Sequence, residues 1–212
     1  MAKLECTNRE FTDFIGPLIR NKVAYITRND KTAQKNRCRL CGKKAELQAA
    51  HILGHDRPTV IKEALENYRK QDQDYYIIED LSKAIEDIHT AHLPVKEKFV
   101  FLCQDCHRQY DKLDDEKKSN KDYITAIFEF LNSKKKVLSD ELLAELLDKD
   151  YSKQKIGFDF PVLSINREVN KERYYKDAIT LNDKEYYLCN HLFDKQRKAL
   201  VEWINQILIS DK

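Results

Sequence analysis

Glycine and proline are scarce. There are four of each in 212 residues, far below the ~12% that the two normally supply together. This excludes a collagen-like or Pro/Gly-rich disordered chain and disfavours a turn-dense β-sandwich. Long apolar runs are also missing: none approaches the ~20 residues that cross a bilayer, so no membrane partner is expected. The opening residues Met1-Ala2-Lys3-Leu4-Glu5-Cys6 lack the apolar stretch of a secretory signal and point to a cytoplasmic protein. Disulfides are rare in that compartment, so the six cysteines read as metal ligands or core fillers.

What is present is charge, with enough apolar residue to build a core. Lys and Arg number 38 against 36 Asp and Glu, and 42% of the chain is apolar. The formal net charge of +2 hides an asymmetry. Between Leu18 and Lys44 stand nine basic residues, Arg37 and Lys43 among them, against the single acid Asp30. Between Glu63 and Ala91 stand eight acids and three bases. So basic a block suits either a polyanionic partner or a solvated face.

The apolar pattern predicts a helix-rich α+β fold. Residues 8–27 read as a helix with Asn8 as its N-cap and a break or kink at Pro17. Residues 46–53 read as a strand and 58–92 as two helices, the second carrying Ile77, Ile78, Leu81, Ala84, Ile85 and Ile88. Phe99 to Leu102 is a short buried strand running into a helix. The polar stretch Lys112–Lys121 predicts a border between an N-terminal domain, 1–115, and a C-terminal α+β domain, 116–212, that reads DNA or dimerises. In the second domain, helices around 124–131, 138–147 and 200–208 accompany strands at 158–165 and 178–189. The latter is a hairpin turning at Asn182-Asp183. Two helices followed by a hairpin suggest a winged-helix-like reader.

Two Cys-x-x-Cys pairs, Cys38/Cys41 and Cys103/Cys106, stand with 61 residues between them. Each pair can reach one ion from a tight turn, and two such turns complete the tetrahedron that structural zinc prefers. The alternative is two unrelated pairs, one of them redox-active, but a thioredoxin-like motif needs a βαβ context that neither pair has. His51 ends the strand that follows the first pair, and His107 immediately follows the second. His107 and Asp111, four apart on one helix face, can both reach one hard cation.

These residues resemble the HNH endonuclease family. The resemblance rests on Cys38-x-x-Cys41, Ala50-His51-Ile52 and Phe99-Val100-Phe101-Leu102-Cys103-x-x-Cys106-His107, about a third of the chain. It implies a zinc-stapled ββα-metal nuclease core, with residues 57–93 as a helical insertion. It further implies His51 as general base, and a catalytic Mg²⁺ or Mn²⁺ held by His107 and Asp111. The products would be 5′-phosphate and 3′-hydroxyl ends from double-stranded DNA, as in bacterial restriction or phage defence. Cutting both strands with one site per chain favours a homodimer. Besides that insertion, the chain departs from the family in two places. Ala50 stands where a metal ligand often precedes the base histidine, which makes Asp111 more necessary. Lys98 stands where the family's middle Asn is usual, leaving His55 and His92 as candidates for its bracing role.

Basic side chains placed to meet phosphates are Arg57, Lys98, Arg37 and Lys43. Arg173 joins them from a segment, Arg167–Lys176, that interleaves bases with tyrosines. Two rivals to a DNA nuclease are a non-catalytic zinc module that regulates by binding nucleic acid and a nuclease directed at RNA.

Overall fold

In the computed structural model the first helix is capped one residue before the expected Asn8. Helix α1 spans Asn8–Ile26, and Thr7 caps it. The Thr7 hydroxyl accepts from the Glu10 N–H at 3.2 Å, and Glu10 Oε2 accepts from the Thr7 N–H at 2.8 Å. This reciprocal pair is what Thr-x-x-Glu encodes. Pro17 does not break the helix. Asp13, whose carbonyl loses its intrahelical donor, is exposed with Pro17, on the solvent side of the helix where that loss costs least. On the opposite face Phe11, Ile19 and Val23 are buried.

The structure describes residues 3–70, 74–113, 118–134 and 138–209. The border expected at 115/116 lies outside the described residues. The chain forms two interleaved units of mixed α+β structure: Met1–Arg37 with Lys44–Phe101, and Cys38–Lys43 with Leu102–Lys212.

In the first unit, strand β1 (Leu4–Thr7) pairs antiparallel with β3 (Tyr75–Ile78), placing Leu4 opposite Ile78. Ile77 and Ile78 therefore belong to a strand rather than to the helix expected there. Asp80 accepts from the Ser82 and Lys83 N–H groups, so the helix α4 (Leu81–Ala91) starts after it. Tyr-Tyr-Ile-Ile ahead of it suits a half-buried pleat. Strand β2 (Gln48–His51) joins β4 (Phe99–Leu102) in a second two-stranded sheet. The Ile52 N–H donates to the Lys98 carbonyl at 3.1 Å just beyond it. All four residues of β4 are buried. Helix α3 (Arg57–Ala64) is capped by Asp56, carries Pro58 in its first turn and packs on α4. A short helix α5 (Val95–Lys98) leads into β4, and another, α2 (Arg28–Ala33), follows α1.

In the second unit α6 (Gln104–Asp111) and α7 (Asn120–Ser133) precede α8 (Asp140–Leu146), α9 (Lys149–Ile156) and, near the end, α10 (Asp194–Ile209). Ser139 caps α8 as expected. Helix α9 had no apolar stripe to reveal it; its signals are the Asp148 cap and Gly157, left-handed at φ 77°. A three-stranded sheet runs β5 (Leu163–Ser164), β7 (Lys184–Cys189), β6 (Tyr174–Leu181). Of the strand expected over 158–165 only Leu163 and Ser164 pair. Pro161 has no N–H to give a ladder, and the Val162 N–H is spent on the Ser152 hydroxyl, although its carbonyl still accepts from the Cys189 N–H. The hairpin turns where expected, with Asn182 and Asp183 both at positive φ. The core gathers Phe128, Leu131, Leu188, Trp203 and Ile204.

Candidate metal centre and histidine cluster

The first Cys-x-x-Cys pair sits in a tight loop. The Gly42 N–H donates to the Cys38 carbonyl and the Cys38 N–H to the Lys43 carbonyl, both at 2.8 Å. Gly42 supplies the φ of 70° that closes the turn. Arg39 projects from this loop and donates through Nε to the Leu208 carbonyl at 2.9 Å, in the last turn of α10. That cation at a helix C-terminus is a docking role that the count of basic residues did not foresee. The second pair is built differently. Cys103 is the N-cap of α6 and Cys106 lies in its first turn, so both sulfurs emerge from one helix start.

The four Sγ atoms lie within 4.8 Å of one another. Cys41 and Cys103 are 3.8 Å apart. A zinc ion bonded to four sulfurs at ~2.3 Å would need tetrahedral edges of ~3.8 Å, so the donors need only small closure. The separation is far beyond a disulfide's ~2.05 Å, and all four cysteines are free. Three are buried and Cys41 is half-buried. Burial, followed by the neighbouring sulfurs of Cys103, Cys38 and Cys41, pushes the Cys106 thiol far up. A cluster that resists ionisation by itself is one in which a divalent cation supplies the missing charge. The donor set can therefore hold a structural metal such as zinc. Among the described residues no other group of three or more His, Cys, Asp or Glu side chains converges in this way.

His107 and Asp111 share one face of α6, with Nε2 and Oδ1 3.3 Å apart and the carboxylate more exposed than the ring. They offer two ligands. His51 stands in the other unit, at the end of β2. Its ring lies 4.5 Å from that of Phe99 and 5.3 Å, edge to face, from that of His92. His92 lies only 6.0 Å from Phe99 in a near-parallel stack and is 1% exposed. Its Nδ1–H donates to the Ile88 carbonyl at 2.7 Å, because a carbonyl can only accept. Nε2 is buried with no hydrogen-bond partner among the described residues. Burial, then Arg57, His89 and Lys98, hold this imidazole below its ordinary value, against the pull of the Ile88 carbonyl.

Of the other basic residues, Arg57 and Lys98 both act electrostatically on His92. Arg57 is half-buried, and burial followed by Arg20 lowers it from the ordinary guanidinium value. Arg37 and Lys43 are exposed. Arg173 lies over the Phe160 ring at 5.2 Å and bonds His191 Nε2 at 2.6 Å, so it has a packing role within its own unit. His55 closes a turn, its N–H donating to the Ile52 carbonyl. The ring neighbourhood of His51 and His92 was only half visible beforehand: Phe99 read as a core strand residue, and nothing in the spacing put it against two imidazoles.

No helix among the described residues is long and apolar enough to cross a membrane. No known family, curated protein or solved structure matches the chain.

Proposed function

We propose that the chain is a metal-dependent HNH-type endonuclease that hydrolyses DNA phosphodiesters to 5′-phosphate and 3′-hydroxyl ends. The observation that supports this reading is the four-sulfur cluster at the start of α6, with His107 and Asp111 paired on the very next turn. Zinc in that cluster is a staple for the knuckles. In this reading His51 takes the proton of the attacking water, a task for a neutral imidazole whose pKa lies near working pH. Phe99 and His92 hold its ring by contact on two sides. His107 and Asp111 hold Mg²⁺ or Mn²⁺, which when bound stabilises charge on the phosphate and the leaving oxygen. The second unit's hairpin and helices select the target in the manner of a winged-helix reader, and a homodimer cuts both strands. A restriction or phage-defence role in the cytoplasm follows from the same reading.

Plasmid cleavage tests it, with Mg²⁺, with Mn²⁺ and with EDTA, comparing wild type with His51→Ala. Cleavage that needs the ion and is lost in the variant while DNA binding persists is the expected result. Equal activity in His51→Ala, or cutting in EDTA, overturns the mechanism. Binding without any cleavage points instead to a zinc-containing regulator, and digestion of RNA in place of DNA redirects the substrate.

A further inference from the structure

Around His92 the described residues leave an imbalance of charge. His92 is buried, and the side chains that act on it most strongly are cationic or a further imidazole: Arg57 from α3, His89 from its own helix and Lys98 from α5. β2 contributes the His51 ring and β4 the Phe99 ring. No carboxylate is among them. Arg57 in turn feels Arg20 of α1, another cation. Arg57 Nε is buried and, like His92 Nε2, lacks a hydrogen-bond partner among the described residues. None of Arg20, Arg57 and Lys98 makes an ion pair among the described residues, whereas His89 has Glu86 at 3.5 Å. A buried polar atom without a partner costs ~1–3 kcal/mol, more when charge is involved, so two of them beside like charges are explained by something that arrives.

We propose that Arg57, His92 and Lys98 form a seat for one tetrahedral oxyanion of the phosphate and sulfate class, with His92 donating to it through Nε2. Because Nδ1 already carries a proton for the Ile88 carbonyl, donation from Nε2 requires a second proton on the ring. Filling the seat therefore takes up one proton from solvent, which leaves His92 as an imidazolium between the anion and Ile88. Arg57 donates through its guanidinium, and Lys98 adds a point charge. The seat does not depend on cleavage. It goes beyond the nuclease reading by naming the groups that hold the anion and the proton that accompanies it.

Sulfate is the probe, because it stays a dianion across roughly pH 5.5 to 8, so any proton taken up belongs to the protein. Calorimetric titration of the full-length protein, free of Mg²⁺, is run in two buffers of different ionisation heat. The expected result is saturable binding with uptake of up to one proton per sulfate, strengthening as pH falls. Arg57→Gln weakens binding by roughly tenfold or more, the loss expected for a charged hydrogen bond. His92→Asn, which can still donate to the Ile88 carbonyl, abolishes the proton uptake. An unchanged thermal transition shows that each variant is folded. No saturable sulfate binding, or binding that is the same in both variants, overturns the seat. Binding without proton uptake overturns the role of His92. Displacement of sulfate by a short oligonucleotide assigns the seat to a nucleic-acid backbone, and failure to displace it assigns the seat to a small phosphoryl ligand; both keep it. Failure of the nuclease reading appears separately, as sulfate binding with no cleavage.

Discussion

The sulfur cluster of the second unit and the imidazole cluster of the first are both largely buried groups of metal- or proton-active side chains, and they differ in how their chemistry is completed. Cys38, Cys41, Cys103 and Cys106 form a closed donor set: four like groups at near-tetrahedral spacing, with one cation as the missing piece. His51, His92 and Phe99 form an open one. Their rings contact one another, and the charged groups around His92 repel rather than complete it. A closed set reads as architecture because every atom in it serves the same bond. An open one reads as a place for something to enter, because His92 Nε2 is buried with no hydrogen-bond partner among the described residues.

Removing the metal should break the comparison most severely. Cys106→Ser, or a strong chelator, is expected to release one equivalent of zinc and cost several kcal/mol, against the ~10–16 kcal/mol that structural zinc contributes in small domains. Trp203 is the sole tryptophan. It is buried in the second unit with Nε1 donating to the Tyr151 hydroxyl at 3.1 Å. Its fluorescence therefore follows that unit, and the transition should move to lower temperature. An unchanged transition would mean that the sulfurs are not a staple.

Phe99→Ala attacks the other cluster. Phe99 is 3% exposed, and emptying such a site costs ~3–5 kcal/mol by denaturant unfolding. Cleavage should fall with it, since both imidazoles lose a wall; full activity would separate His51 from its ring neighbours.

The next effect is a pH slope. The folded His92 value lies below the ordinary ~6.5. Below about pH 6.5 the unfolded chain takes a proton that the folded one resists. Stability from this group is thus intact above that pH and declines as pH falls toward the folded value. His92→Asn should flatten that part of the profile, and added sulfate should reduce it in wild type. Identical wild-type and variant slopes would leave His92 without this role.

The smallest change is at a helix boundary remote from both clusters. Ser139→Ala, which removes the hydroxyl accepting from the Leu142 N–H, should cost ~1 kcal/mol and leave zinc content and sulfate binding untouched.

Much of this was legible from local pattern. The two Cys-x-x-Cys loops, the Phe99–Leu102 strand, the helix carrying His107 and Asp111, and the Asn182-Asp183 turn all follow from residues within a few positions of one another. The strand at Tyr75–Ile78 was not legible, because its partner β1 lies some seventy residues away and its isoleucines continue a helical spacing into α4. Pro17 misled for a similar reason: the rule against proline in helices concerns the backbone, and exposure of Asp13 on that face removes much of its force.

The donors are written in the order of residues: which of them carry sulfur and imidazole, their spacing within each turn, and hence that four thiols can meet on one ion. Their surroundings come from folding. That His92 is buried against Phe99, carries its proton on Nδ1 and faces cations from two other helices depends on α3, α4, α5, β2 and β4 packing together. Electrostatics in a low-dielectric interior is set by three-dimensional neighbours, and order along the chain does not encode them.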